Sequence, residues 1–106
     1  MYEQGKLGAA INVLNKAVEM DGDNAKAHAV LGSAYFDSNE TQKALRHLQR
    51  AVALNPKNGQ ALVILGNVHQ ALGNSDQAKS MYQKYLKLAP NGKFADDVKM
   101  ILQALP

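Results

Sequence analysis

Residues 25–58 read AKAHAVLGSAYFDSNETQKALRHLQRAVALNPKN, and residues 59–92 read GQALVILGNVHQALGNSDQAKSMYQKYLKLAPNG. The two stretches align without a gap, so that Leu31 recurs as Leu65 at an offset of 34 residues. A fixed period of roughly 20–50 residues is typical of arrays in which every unit is one supersecondary motif. The sequence therefore predicts a repeat protein.

The same period organises the rest of the chain. Stepping back by 34 residues shows that residues 1–24 hold the second half of a unit. Two full units follow at 25–58 and 59–92, and a tail occupies 93–106. We predict a single domain over 1–106 with these internal boundaries.

Each full unit predicts two helices of different character. The first, over 26–37 and 60–72, lacks proline and is apolar on nearly all sides, so it requires cover on more than one face. The second, over 41–54 and 75–88, is apolar on one face only, as is the segment 7–20 of the partial unit. The first helices are therefore predicted to be inner and the second ones outer.

Asparagines stand before all four of these helices. Asn24 and Asn58 precede the inner helices as N-caps. Asn39 and Asn74 precede the outer helices, each with a glutamine three residues on, which is the spacing of a capping box. We therefore predict that all four side chains cap a helix.

Two kinds of glycine have different predicted roles. Gly5 and Gly73 fall between an inner and an outer helix, where we expect a turn with positive φ. Gly32 and Gly66 fall in the middle of inner helices, which costs about 1 kcal/mol relative to alanine. A helix accepts that cost where a neighbouring helix must approach closely.

The pattern resembles the tetratricopeptide repeat, a unit of 34 residues with Trp, Leu-Gly, Tyr, Ala, aromatic, Ala and Pro at fixed positions. In the middle unit the matching residues are His28, Leu31, Gly32, Tyr35, Ala44, Leu48, Ala51 and Pro56. In the next they are Leu62, Leu65, Gly66, His69, Ala78, Tyr82, Tyr85 and Pro90. The resemblance covers residues 1–92. It implies an all-α, right-handed α-solenoid of helix-turn-helix repeats, with the tail as a C-terminal capping helix.

The resemblance also implies a binding surface, because the inner helices of this family line a concave groove. The corresponding residues are Lys26, Ala29, Val30, Ser33, Phe36, Asp37, Gln60, Val63, Ile64, Asn67, Gln70 and Ala71. The middle of this set is apolar and its rim is polar, which suits a helix or an extended peptide of a partner protein. The implied function is protein–protein interaction within a larger scaffold or assembly protein. The alternative is that the stripe is buried by the chain itself or by neighbouring repeats.

Chaperone-binding members of the family grip a C-terminal carboxylate with lysine, asparagine and arginine residues of this stripe. Lys26 and Asn67 are the only matches here, and Ala29, Val30 and Ile64 stand at other positions of the stripe. We therefore expect no clamp for chaperone tails.

The partial unit at the N-terminus leaves alternatives open. Met1–Gln4 can supply no more than the last turn of an inner helix, so Ile11, Leu14 and Val18 lack a partner within their unit. The chain is a fragment of a longer array, pairs with a second copy, or tolerates an open end. The alternative function is accordingly a self-associating spacer that forms homo-oligomers through this face. A third hypothesis is a regulatory appendage of an enzyme within a longer chain.

Composition argues against other classes of function. The 12 basic and 9 acidic residues are scattered, without a basic stripe beside aromatic residues, so we expect no nucleic-acid partner. His28, His47 and His69 lack metal-site spacing, no nucleophile motif is present, and cysteine is absent, so we expect no cofactor, no metal and no enzymatic activity. No apolar run reaches the ~20 residues of a membrane span. We expect a soluble protein of the cytoplasm, or of the periplasm if a signal lies upstream.

Overall fold

The computed structural model describes residues 4–106, which form six α-helices and no strand. The helices are α1 (Gln4–Met20), α2 (Ala25–Asp37), α3 (Thr41–Leu54), α4 (Gly59–Ala71), α5 (Ser75–Leu88) and α6 (Ala95–Ala104). Successive helices pack against each other, and the pairs α2–α3 and α4–α5 form the most extensive hairpins. The all-α helical-repeat solenoid is confirmed. Over residues 4–106, no helix is long and apolar enough to cross a membrane.

The predicted helix bounds agree closely with the structure, except at the N-terminus. The outer helices α3 and α5 have the predicted bounds, and the inner helices α2 and α4 are displaced by one residue at their ends. Helix α1 begins at Gln4, so Gly5 lies inside a helix and its predicted turn is wrong. Within residues 4–106 no inner helix precedes α1 to require a chain reversal there. Met1–Glu3, predicted as part of a helical turn, lie outside the described residues.

The N-caps of the inner helices are confirmed. The side chain of Asn24 accepts a hydrogen bond from the Ala27 amide at 3.0 Å, and that of Asn58 accepts one from the Ala61 amide at 3.1 Å. Each bond satisfies one of the amide groups that the first turn of a helix leaves unpaired. The same residue type at the same position thus starts both inner helices.

The capping-box prediction for the outer helices is wrong. Asn39 has a φ of 65°, and the N-cap of α3 is Glu40, whose side chain makes no capping bond. Asn39 aligns with Gly73, whose φ is 79°, so both residues supply the left-handed conformation that ends an inner helix. Asn74 is the N-cap of α5, but its side chain lies 3.3 Å from His69 Nδ1 instead of capping.

Two apolar clusters form the core. The first joins α2, α3 and α4 around Leu31, Leu48 and Val68, and the second joins α4, α5 and α6 around Tyr82 and Val98. All five side chains are completely or almost completely buried. Since α4 contributes to both clusters, it is the central helix of the array.

The mid-helix glycines lie where the helices cross, as predicted. A Cβ atom on Gly32 would lie 2.5 Å from Leu48 Cγ, and one on Gly66 would lie 2.6 Å from Tyr82 Cε1. Both distances are shorter than real carbon contacts allow. Glycine therefore permits each inner helix to rest directly on the outer helix of its own unit.

The C-terminal helix covers the last unit, in agreement with its predicted capping role. Val98 of α6 is fully buried, and it packs in one cluster with Val63 of α4. The Tyr85 hydroxyl accepts a hydrogen bond from the Phe94 amide at 2.9 Å, and the two rings meet edge to face. Tyr85 stands where the family pattern has a small residue, so this departure from the pattern fixes the start of α6.

Candidate binding groove

An open groove of about 550 Å³ lies between α1, α2 and α4. The residues of the predicted stripe that line it are Lys26, Ala29, Val30, Ser33, Asp37, Gln60 and Ile64. Helix α1 completes the wall with Leu7, Ala10 and Leu14. The groove is thus built from one outer helix and two inner helices.

Val30 is the most accessible large apolar side chain in the groove, with 46% of its surface exposed. Its counterpart on the next inner helix, Ile64, also lines the groove but is half-buried and packs against the first core cluster. The two charged groups of the lining are Lys26 near the start of α2 and Asp37 at its end. The groove therefore offers an apolar floor between one positive and one negative end of α2.

A smaller hollow of about 240 Å³ lies on the other side of α4, against α6. Gln60, Val63, Ile64 and Asn67 of the predicted stripe line it. Val63 is only 8% exposed because α6 covers it, so this side chain offers little surface to a ligand. The sequence did not show where the capping helix would lie relative to the stripe.

The remaining stripe residues, Phe36, Gln70 and Ala71, line neither hollow. Phe36 packs against the first core cluster. The Tyr82 hydroxyl lies 2.6 Å from Asn67 Oδ1 and 3.0 Å from Gln70 Oε1, in hydrogen bonds within the same unit. The polar end of the α4 stripe is therefore occupied by intramolecular bonds. The prediction of these twelve residues as a ligand surface stays a prediction.

Sequence reasoning placed no residue of α1 in the groove, although the 34-residue period contains the signal. Ala10 corresponds to Ala44, and Leu14 corresponds to Leu48. Ala44 and Leu48 are completely buried under α2, whereas Ala10 is exposed and Leu14 is half-buried. The difference arises because the described residues contain no inner helix that covers α1 in the same way.

A polar cluster lies away from the groove, between α2 and α3. His47, predicted on an outer face, is half-buried and stacks on both His28 and Tyr35, with ring centroids 5.3 and 5.5 Å apart. Burial lowers the pKa of His47, and the nearby His28 and Arg46 lower it further. Burial also lowers the pKa of His69 on α4. These histidines serve packing between helices of one unit.

Comparisons with known proteins agree with this architecture. The family model described as Tetratricopeptide repeat matches residues 35–105, and a second model described as TPR repeat matches residues 1–38. No curated protein matches the chain.

Solved structures give a similar result. The chain is 32% identical to the first TPR of Spaghetti (RPAP3) bound to the HSP90 peptide SRMEEVD, over 95% of this chain and 81% of that one, with a TM-score of 0.85. It is 25% identical to the second TPR domain of human RPAP3 in complex with the HSP70 peptide SGPTIEEVD, over 94% and 83% of the two chains, with a TM-score of 0.84.

A third structure, that of MamA, is 33% identical over 92% of this chain and has a TM-score of 0.79. The match covers 57% of the MamA chain, so the present chain spans little more than half of that protein. The repeat period, the glycine-mediated crossings and the family models that match residues 1–38 and 35–105 lead to one conclusion. The chain belongs to the tetratricopeptide repeat family.

Proposed function

We propose that the chain is a non-catalytic interaction module that binds an apolar segment of a partner protein in the groove between α1, α2 and α4. The observation that carries the proposal is the exposure of Val30, 46% of which is open to solvent inside a concave surface. Covering an exposed valine completely stabilises a complex by about 1.5–3 kcal/mol at most. Two similar structures that are bound to peptides, those of RPAP3, support an interaction role.

The lining of the groove defines the chemistry of the segment. Ala29, Val30 and Ile64 are apolar, and α1 adds Leu7 and Leu14. Such a surface favours the apolar face of a helix or an extended segment with alternating apolar residues. The partner segment is held mainly by apolar contact, with polar groups at the rim that fix its orientation.

The acidic peptides of the RPAP3 structures are a poor match for this lining. The printed peptide sequences end in Glu-Glu-Val-Asp. Lys26 is the one cation among the residues that line the groove, and it is accompanied by Asp37. We therefore infer a partner that is different in chemistry from those peptides, within a larger scaffold or assembly protein.

Matched variants of the immobilised chain test the proposal. Val30→Asp places a charge on the groove floor, and Val13→Asp places the same charge on α1 at a valine that is 67% exposed and outside the groove. We expect a cell-lysate protein to be retained by the parent and by Val13→Asp, and to be lost from Val30→Asp. A direct titration of that protein, once purified, should show the same order.

Equal retention by all three proteins would refute the groove as the binding site. Val30 is preferred to Ile64 for this experiment because Ile64 also packs against the core, so its replacement by aspartate would lower stability. Circular dichroism of each variant verifies that the fold is unchanged.

Self-association through α1 is the second candidate function, because the exposed Ala10 and the half-buried Leu14 leave an apolar face on this helix. Sedimentation equilibrium over a wide concentration range measures it. A mass that rises with concentration in the parent, and not in an Ala10→Arg variant, would support this candidate.

A further inference from the structure

The three outer helices present the same pair of positions to an inner helix. The pairs are Ala10 and Leu14 on α1, Ala44 and Leu48 on α3, and Ala78 and Tyr82 on α5. On α3 and α5 both members of the pair are completely buried. On α1 the alanine is exposed and the leucine is half-buried, and both line the groove. The protein itself therefore shows twice what kind of element covers this pair.

The covering element is defined by its closest contact. Gly32 of α2 rests on Leu48, and a Cβ atom there would lie 2.5 Å from Leu48 Cγ. Leu14 is the same residue at the equivalent position of α1, so a helix crossing it at the same height requires a glycine at the crossing. A leucine precedes each such glycine, and an aromatic ring follows it three residues on, as in Leu31 and Tyr35 of α2.

The second wall of the site is equally prepared. Helix α2 is covered on one side by α4, and its other side faces the groove through Ala29 and Val30. A helix placed against both α1 and α2 would continue the row of inner helices by one position. It would cover Val30 and Ala10 together.

We infer that the open face of α1 and α2 is a docking site for a helix of a partner protein that carries a Leu-Gly pair at its centre and an aromatic residue three positions after the glycine. This inference rests on the proposed function and names the chemistry of the partner. A second copy of the chain is a poor source of that helix, because Leu31 and Leu65 of its own inner helices are buried in its own core. Releasing either helix would break the core.

A peptide taken from the chain itself is the probe. It has the sequence of residues 24–38, with Asn24 as its N-cap, a fluorophore at its end and a hydrocarbon staple between the Ala29 and Ser33 positions. Those two side chains face the groove in α2, so the staple avoids the face that packs on an outer helix. The staple is needed because an isolated helix this short is only marginally stable.

The experiment measures fluorescence anisotropy while the intact chain is titrated into the peptide. We expect saturable binding, and we expect Ala10→Arg to weaken it by about tenfold or more, since a long charged side chain overfills the crossing. Ala9→Arg is the matched control on the adjacent exposed residue, which lies outside the groove. It should leave the dissociation constant unchanged within about twofold, as expected for a surface site.

A second probe tests the glycine. A stapled peptide with valine at the Gly32 position should bind the parent chain at least about tenfold more weakly, because its side chain would collide with Leu14.

Several outcomes would overturn the inference. They are an absence of saturable binding up to about 1 mM chain, equal affinity of the two peptides, equal affinity of the parent and Ala10→Arg, and a dimer that Ala10→Arg dissociates. If Val30→Asp loses a natural partner while the stapled peptide fails to bind, the proposed function stands and this inference falls. If Val30→Asp retains every partner, the proposed function itself fails.

Discussion

His28 Nδ1 and His47 Nδ1 lie 3.1 Å apart, so one of these nitrogens must donate a proton to the other. His28 Nε2 lies 2.9 Å from the carbonyl oxygen of Gly22 and donates to it. A neutral His28 therefore accepts at Nδ1, and His47 donates. If both rings become cationic, two N–H groups face each other and the bond between α2 and α3 is lost. The pair is compatible with one additional proton and opposes a second.

The first prediction concerns stability in mild acid. The pKa values of His47 and His69 are lowered from 6.5 in the folded state, so the unfolded chain binds more protons as the pH falls below 6.5. Stability should be fully present above pH 6.5 and should decrease as the pH falls through the lowered folded-state values. Urea denaturation at several pH values between about 8 and 5 measures it, over a range where ordinary carboxylates remain charged.

The control is His47→Gln, which should make this dependence less steep while leaving the contribution of His69. A free energy of unfolding that stays constant, or increases, between pH 6.5 and 5 would contradict the assignment of neutral buried histidines.

The second prediction compares two alanine substitutions in helices. Gly66→Ala should destabilise the protein by about 1–3 kcal/mol, because the added Cβ meets the buried Tyr82 ring at 2.6 Å. Gly8→Ala on α1 should stabilise it by up to about 1 kcal/mol, because nothing lies within 4 Å of the added atom and alanine favours a helix. Urea denaturation of both variants measures the difference. Stabilisation by both would mean that the close crossing at Gly66 does not exist.

The third prediction concerns the attachment of α6. Tyr85→Phe removes the hydroxyl that accepts the Phe94 amide, and it should cost about 1 kcal/mol. Hydrogen exchange of the Phe94 amide should become faster in the variant. The Ala27 amide, which is bonded to Asn24 in the other full unit, is the internal reference and should exchange at its original rate. Unchanged exchange at Phe94 would show that the tyrosine serves packing alone.

The fourth prediction concerns ligand chemistry. The peptide SRMEEVD, which is bound in the similar RPAP3 structure, should not bind this chain detectably at about 100 μM. The reason is that the groove places Ala29, Val30 and Ile64 along its floor and offers one lysine. Fluorescence anisotropy with labelled SRMEEVD measures it, and the first TPR of Spaghetti serves as the positive control. Saturable binding at micromolar concentration would refute the apolar assignment of the groove.

The helices were predictable because the chain states its pattern more than once. Asn24 and Asn58 mark the inner helices, and the bounds of α3 and α5 follow from their one-sided apolar faces. Asn39 was misread because asparagine serves both as an N-cap and as a residue with positive φ. Its alignment with Gly73 distinguishes the two roles, since glycine has no side chain with which to cap.

The candidate site was less predictable, because it depends on which elements lie beside the inner helices. Val30 remains accessible as the stripe predicted, whereas Val63 at a neighbouring position of the stripe is covered by α6. The contribution of Leu7 and Ala10 required knowledge of how α1 is placed against α2. Periodicity identifies the face of a helix, and only the packing of the neighbours decides whether that face is open.

The packing of each helix on its neighbours in the chain also has a kinetic consequence. The main contacts join α1 to α2, α2 to α3, and onwards to α6, so most of them close short loops. Folding therefore requires few slow encounters between distant segments, and proteins with such local contacts fold fast. It can begin at any hairpin and spread outward. Because α4 takes part in both core clusters, the α4–α5 hairpin is the natural starting point, and α1 at the edge of the array is the helix that joins last and opens first.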